Sequence, residues 1–399
     1  MQPEHRMNSP LPDLGHSKDL RMNRQQLILG QLLTLTLMMS VGQTGIAAEV
    51  LRNPVKGTPT LKAISVIRFA PGGVLLIGDG PGSQLIAVVT NDSQKQSWEQ
   101  KTVEGITEKL AARIGIPAKE LEIRSMAVHP ESLKVYVAVA NTRTKQSVIL
   151  TVDGRGTIDE FALENVPHVV VPLPKGEQSP VTRITDLAWM GDRVLISATA
   201  NEEFAAKVCS IPAPLEANSK GLAFSTETYH VSHRKWETRA PMTTLMPYEQ
   251  GGRKYVVGAF ACTPVVRYPL DEVQPGAKVK GESVIELGSG NQPRGMFAYE
   301  KDGQGYVLMN AYRFHHERRP YGWSPYVTFR IELGLLDERE KLNESALYRL
   351  AGTKPATDRI RLVEEYFGVM HLDRLDKTQA VVIRQLPSGN TELAVLPLP

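Results

Sequence analysis

Arginine stands at the head of three separate apolar strand patterns: Arg124 in RSMAVHPESLKVYVAVAN, Arg183 in RITDLAWMGDRVLISATAN and Arg294 in RGMFAYEKDGQGYVLMNAY. Guanidinium groups gathered from distant parts of a chain make a confined positive field that attracts carboxylates, phosphates or an acidic partner. The other use of each is structural, as the partner of a nearby carboxylate or the cap of a loop. A second concentration of chemistry is AYRFHHERRPYGWSPYVTF, where His315, His316, Arg318 and Arg319 stand among Tyr312, Phe314, Tyr321, Trp323 and Tyr326. Arginine beside tyrosine and tryptophan suits a flat or anionic organic ligand, through stacking and charge-assisted hydrogen bonds. The same aromatics would equally pin a long loop to its domain. Adjacent histidines on a strand point to opposite faces, so His315 and His316 do not chelate one metal unless the chain turns between them.

Asp79, Asn141, Asn201, Glu202 and Glu203 end or follow further strand patterns. Such oxygen donors suit Ca²⁺ or Mg²⁺, yet tight turns prefer the same residues. Calcium is the one cofactor this leaves open, and no metal-ligand set is assigned. His230 and His233, three apart in YHVSH, fall on opposite faces if the segment is a strand, and His129 precedes Pro130 in a turn. No Ser-His-Asp order stands out, and no glycine-rich loop follows a strand and opens a helix to cradle phosphate. The catalytic residues, if there are any, are unassigned.

The elements that must position these groups recur. ISVIRFAPGGVLLIGDG is a strand, a turn and a second strand. The same sentence returns in the three arginine-headed segments and in MTTLMPYEQGGRKYVVGAFA and FGVMHLDRLDKTQAVVIRQL. Units of this kind at a spacing of roughly 50–75 residues read as the blades of an all-β propeller, six being expected and seven the alternative. Residues 327–350 are long enough to hide an extra hairpin. SVILTVDG and TIDEFAL supply the third and fourth strands of the second unit. The last unit offers only three, so residues 50–61 are expected to complete it and close the ring. A β-sandwich is the competing architecture. In a propeller the innermost strands start on one face around the channel. Lys62, Arg124, Arg183 and Arg294, with Arg239 nearby, would line that mouth, and Glu364 and Glu365 break the pattern in the sixth unit. Ile106, Leu110 and Ile114 share one face of a helix ended by Gly115, and residues 335–350 could be helical too.

Leu27 to Val41 is apolar, follows Arg21 and Arg24, and leads into Gly45-Ile46-Ala47-Ala48. A run of about 15 residues is short for a membrane span and suits a signal peptide. Residues 1–48 are therefore expected to be a polar extension and signal, with 49–399 a single exported propeller in the periplasm or medium. No membrane span is expected after cleavage, and an uncleaved anchor is the rival. The whole chain carries 46 basic and 43 acidic residues, close to neutral. Nothing in this balance suggests wholesale binding to nucleic acid, which needs a strongly basic face. Cys209 and Cys262 are the only cysteines, and either a disulfide or two separate buried thiols fits an exported protein.

FAPGGVLLIGDG and NQPRGMFAYEKDGQGYVL resemble blades of the six-bladed calcium-dependent lactonase and NHL-type propellers. The resemblance covers most of residues 49–399 at the level of repeat style, and soluble quinone-dependent sugar dehydrogenases share the architecture. It implies a divalent cation held by Glu, Asn and Asp from different blades, but Lys62 stands where the first innermost strand would bring an acidic residue. Two functions remain open: a non-catalytic propeller that binds a small anionic or aromatic ligand or an acidic protein partner, and an exported lactonase-like hydrolase or quinone-dependent sugar oxidoreductase.

Overall fold

The computed structural model describes residues 49–399 apart from 263, 272, 289, 319–321, 339–349, 352–353 and 356–357. The expected signal segment thus lies outside the described residues, as does Arg319. Each of the six repeated units forms the inner hairpin of a blade, and the six blades close into a propeller. Their innermost strands are Val66–Ala70, Leu121–Val128, Val181–Trp189, Met242–Gln250, Asn291–Lys301 and Val369–Arg374. The second strands are unbroken apolar runs for a reason. Blades stack face to face, so Val74–Asp79 and Val135–Asn141 are buried at every position, the pattern of a strand covered on both sides.

The blades do not follow one another around the ring in chain order. Six hydrophobic clusters mark the seams. One joins Ile67, Leu75 and Ile86 of the first blade to Ala127, Tyr136 and Ile149 of the second. Another joins Val66, Leu76 and Leu85 of the first to Ile184, Val194 and Ile196 of the third. The second blade packs on its far side against Val381, Ile383 and Leu393 of the sixth. The remaining clusters link third to fourth, fourth to fifth and fifth to sixth. The first blade therefore sits between the second and third, and the chain reverses direction once before running round the rest.

Two strand exchanges make this reversal possible. After the third strand of the first blade, Gln84–Val89, the chain gives Thr102–Glu104 to the sixth blade as its outer strand, pairing Val103 with Leu393. The helix Ile106–Arg113 follows, with Ile106 and Leu110 buried. The second blade is then built, with third and fourth strands Ser147–Val152 and Ile158–Phe161. Val166–Pro172 next returns as the fourth strand of the first blade.

Residues 50–61 thus do not complete the sixth blade. Val55–Gly57 adds a fifth strand to the first blade, against Val166–Pro172, while the amide of Leu215 donates to Val50 O at 2.7 Å. The true closing strand escapes the sequence pattern because it is three residues long and only Val103 of it is buried. No seventh blade is formed by the described residues. Tyr326–Glu332 is the third strand of the fifth blade, a short 3₁₀ turn follows at Leu333–Asp337, and the rest of the expected second helix lies largely outside the described residues. Cys209 and Cys262 are unpaired thiols. Among the described residues no helix is long and apolar enough to cross a membrane.

The C-terminus is held at several points. Tyr366 Oη donates to Pro397 O at 3.0 Å, Lys301 Nζ to Leu398 O at 2.9 Å and Tyr299 Oη to Pro399 O at 2.7 Å. Deleting residues 391–399 removes the strand that Thr102–Glu104 pairs with and exposes sheet edges on both sides of the closure. The truncated protein is expected to lose its single cooperative unfolding transition in a thermal or urea melt; a melt matching the full-length protein would show that closure does not depend on this strand.

Candidate functional site at the channel mouth

Five of the six innermost strands slip register by one residue against their partners. The residues passed over are Arg124, Thr185, Thr243, Arg294 and Met370. A bulge takes one residue out of the ladder and re-aims its side chain. Repeated around a ring, it turns a row of side chains from different blades toward the axis. The third blade slips a second time between Val181 and Arg183. These irregularities place Arg124, Arg183 and Arg294 around one cavity of about 360 Å³, together with Arg68, Glu122, Asn310 and His371.

The four guanidiniums are not equivalent. Arg68 Nη2 lies 2.7 Å from the carboxylate of the buried Asp186, and Arg68 Nη1 donates to the Ile67 and Met126 carbonyls at 3.0 and 3.3 Å. Asp186 also accepts the Thr244 hydroxyl at 2.6 Å and the Leu187 and Leu245 amides at 2.9 and 3.2 Å. Arg124 meets Glu122 at 3.2 Å, leaving its own Nε buried without a hydrogen bond. Arg183 and Arg294 are exposed to the channel mouth, and neither has an ion-pair partner among the described residues.

Two further groups face this field. His371 has its pKa lowered to about 3, first by burial and then by the neighbouring Arg294 and Arg68, against a hydrogen bond with the Ile123 backbone that favours the charged form. The imidazole is neutral at any physiological pH. Asn310 is fully buried; its amide nitrogen donates to the Val369 and Met370 carbonyls at 3.0 Å each, and its Oδ1 has no hydrogen-bond partner. An acceptor of this kind ordinarily meets a donor from protein, water or ligand.

The aromatic loop is not part of this cavity. His315, His316, Arg318 and Trp323 lie on the connection between the second and third strands of the fifth blade, whose start is fixed by Phe314 N donating to Gly290 O at 2.8 Å. None of the four lines the channel cavity. Trp323 borders a separate depression with Gly322, Leu362, Glu364 and Phe367, so Glu364 meets the aromatic loop instead of the channel. His316 is shifted down, mainly by burial and then by Arg313.

Three of the five oxygen donors considered for calcium are occupied separately, and Asn201 and Glu203 are exposed outside the cavity. Asp79 accepts the Lys62 and Gly82 amides and the Gln84 side chain, each at 2.9 Å. Asn141 closes its own turn through the Arg143 and Thr144 amides at 2.8 and 3.1 Å, and Glu202 pairs with Lys207. None of these lines the cavity. The cavity itself does not fit Ca²⁺: four guanidiniums surround it, and its one carboxylate, Glu122, is paired with Arg124. Lys62 is also absent from the lining, its amide serving Asp79. His129 clamps two blades, its Nε2 3.0 Å from Thr90 Oγ1. It packs so closely on Gly73 that a Cβ there would fall 2.5 Å from the ring.

Arg68, Asp186 and His371 escape a sequence reading that attends to strand starts. The signal is a charged or polar residue inside an innermost strand: Arg68 in SVIRFA, Asp186 in RITDLAW and His371 in FGVMHLD each interrupt an otherwise apolar segment.

No family model matches the chain, and no curated protein matches it either. Solved structures that match this chain include one described as an oxidoreductase (glucose dehydrogenase) from Thermus thermophilus, at 12% identity and a TM-score of 0.33, covering 87% of this chain and 100% of that one. The Dos1 propeller is 7% identical with a TM-score of 0.34, covering 83% and 69%. A lignostilbene dioxygenase from Pseudomonas brassicacearum is 9% identical with a TM-score of 0.32, covering 84% and 69%. At these scores the similarities carry no argument about activity.

His371 gives the folded state a pH dependence whose direction is determined. The unfolded chain takes up a proton on this residue below about pH 6.5, which the folded chain accepts only near pH 3. Its contribution is complete above the unfolded value and declines as pH falls between these limits, by at most about 1.4 kcal/mol per pH unit. Urea unfolding of the native protein and of H371N from pH 7 to 4 should show the native protein losing stability relative to the variant as pH falls. A constant difference across that range would contradict a half-buried imidazole held neutral in the folded state.

Proposed function

We propose that this chain is an exported propeller that binds a small molecule bearing a carboxylate or phosphate at its channel mouth. The observation that carries this reading is the pair Arg183 and Arg294, from non-adjacent blades, exposed at one cavity and without carboxylate partners among the described residues. Arg68 lines the same cavity but is committed to Asp186. The excess positive charge is therefore local, in a chain that is close to neutral overall. A cavity of about 360 Å³ has the dimensions of a small-molecule site rather than of a protein-docking surface. Export rests on the apolar run at residues 27–41.

A catalytic reading, as a lactonase-like hydrolase or a quinone-dependent sugar oxidoreductase, draws support from His371. An anion seated between Arg294 and Arg68 would offset the charges that depress this imidazole and so raise its basicity. Without a bound anion it is too weak a base to act near neutral pH. Binding is accordingly the primary reading.

A thermal-shift and calorimetric screen of the full chain against di- and tricarboxylates, sugar phosphates, neutral sugar lactones and pyrroloquinoline quinone separates these readings. Anions should stabilise the protein, and each of Arg183→Ala and Arg294→Ala should weaken their binding by roughly 1.5–3 kcal/mol for a lost charged hydrogen bond, with melting otherwise preserved. Stabilisation by neutral lactones alone, or anion binding that the double variant retains, would overturn the proposal.

A further inference from the structure

On the outer side of the third blade, Leu222–His230 ends in a tight turn and returns as Lys235–Glu237, with His230 opposite Lys235 and Thr228 opposite Glu237. Arg234 in that turn takes a φ of 53°. The turn cancels the strand alternation that would have set His230 and His233 on opposite faces. Their rings stack instead, with centroids 5.4 Å apart and planes within 14°. Glu237 faces both: its Oε1 accepts a hydrogen bond from His233 Nδ1 at 3.0 Å, and its Oε2 lies 3.6 Å from His230 Nε2. One donor atom from each of the three residues lies within 4.8 Å of the other two.

His230 supplies the independent observation. It is 1% exposed, yet neither ring nitrogen has a hydrogen-bond partner, against the strong tendency of buried polar atoms to be paired. Phe260 of the fourth blade covers one side edge-on, its ring centroid 6.3 Å away.

We infer that His230, His233 and Glu237 form a binding site for a divalent transition metal, with zinc the ion that the donor set fits best. Two imidazoles and one carboxylate are borderline donors that suit zinc and reject calcium, and three protein ligands leave a fourth tetrahedral position for water. Zinc bonds of about 2.0–2.2 Å put ligand atoms roughly 3.4 Å apart, so the cluster closes by about 1 Å of side-chain movement. His233 provides it, because its side chain is 38% exposed, whereas His230 is fixed by the core. Lys235 Nζ, 3.2 Å from Glu237 Oε1 and 64% exposed, must swing aside. The bound ion would clamp the turn of this hairpin against the seam between the third and fourth blades, well apart from the arginine cavity in residue content.

The test uses the full-length protein, stripped by chelator and titrated with zinc chloride in a calorimeter, with calcium chloride as the control. One equivalent of zinc should bind and calcium should give no heat. Cobalt(II) added in place of zinc should give the intense visible bands of a tetrahedral site. His233→Ala and Glu237→Gln should each lower zinc affinity by at least tenfold with unchanged melting in chelator. Lys235→Ala should bind zinc as tightly or more tightly, and H315A, outside the cluster, should leave binding unaltered. Absence of stoichiometric zinc binding, or binding that survives both H233A and E237Q, would overturn the assignment.

Discussion

The pairing of Arg68 with Asp186 holds together the part of the ring that the chain's unusual path leaves most exposed to failure. Because the first blade is inserted between the second and third, its seam with the third combines an apolar cluster, backbone hydrogen bonds of Val50 and Arg52 with Leu215, and one ion pair. Arg68 reaches the Met126 carbonyl of the second blade and the Asp186 carboxylate of the third. Asp186 in turn binds the Thr244 hydroxyl and Leu245 amide of the fourth. Four innermost strands thus meet through one ion pair. A charge pair with one buried member contributes little net stability compared with an apolar substitute, but removing Arg68 alone leaves the Asp186 carboxylate uncompensated in the core. Its value here is in specifying which strands meet.

The same junction shapes the chemistry of the channel. With Arg68 neutralised by Asp186 and Arg124 by Glu122, the cavity's unbalanced charge resides on Arg183 and Arg294. The bulges contribute to this distribution: among the residues they release from the ladder in five blades are Arg124 and Arg294, while Arg183 stays opposite Thr199 beside a slip. Architecture supplies a ring of re-aimed positions, and the residue type at each decides what the ring can bind. The neighbouring His371 stays neutral, first through burial and then through the field of Arg294 and Arg68.

Much of the fold is legible in the sequence because a blade's inner hairpin has a strong local signature. A turn such as Pro71-Gly72-Gly73 between two apolar runs reports directly on the two strands beside it. The blade order and the closure are not legible, since they depend on short outer strands such as Thr102–Glu104 pairing with a segment nearly three hundred residues away. Within the site, Arg124, Arg183 and Arg294 can be found from their place at strand starts. Arg68 and His371 require the register of their strands, and Asp186 requires knowing which blade lies beside which. The His230–His233 pair reads as opposed on a strand, because nothing in YHVSH states that the strand ends at the first histidine. His315, His316, Arg318 and Trp323 share a loop in sequence, but the direction in which that loop leaves the fifth blade decides that none lines the channel.

A double-mutant cycle on Arg68 and Asp186, read by urea unfolding, tests the central dependence most directly. Arg68→Met should destabilise the protein by about 3–5 kcal/mol, as expected when the buried Asp186 carboxylate is left unpartnered, and Asp186→Asn by less, since Arg68 is 24% exposed in the channel. The double variant should cost far less than their sum, giving a coupling well above the roughly 0.3–0.5 kcal/mol scatter of independent sites. Single costs near zero, or costs that simply add, would contradict the account that this ion pair holds the four innermost strands together.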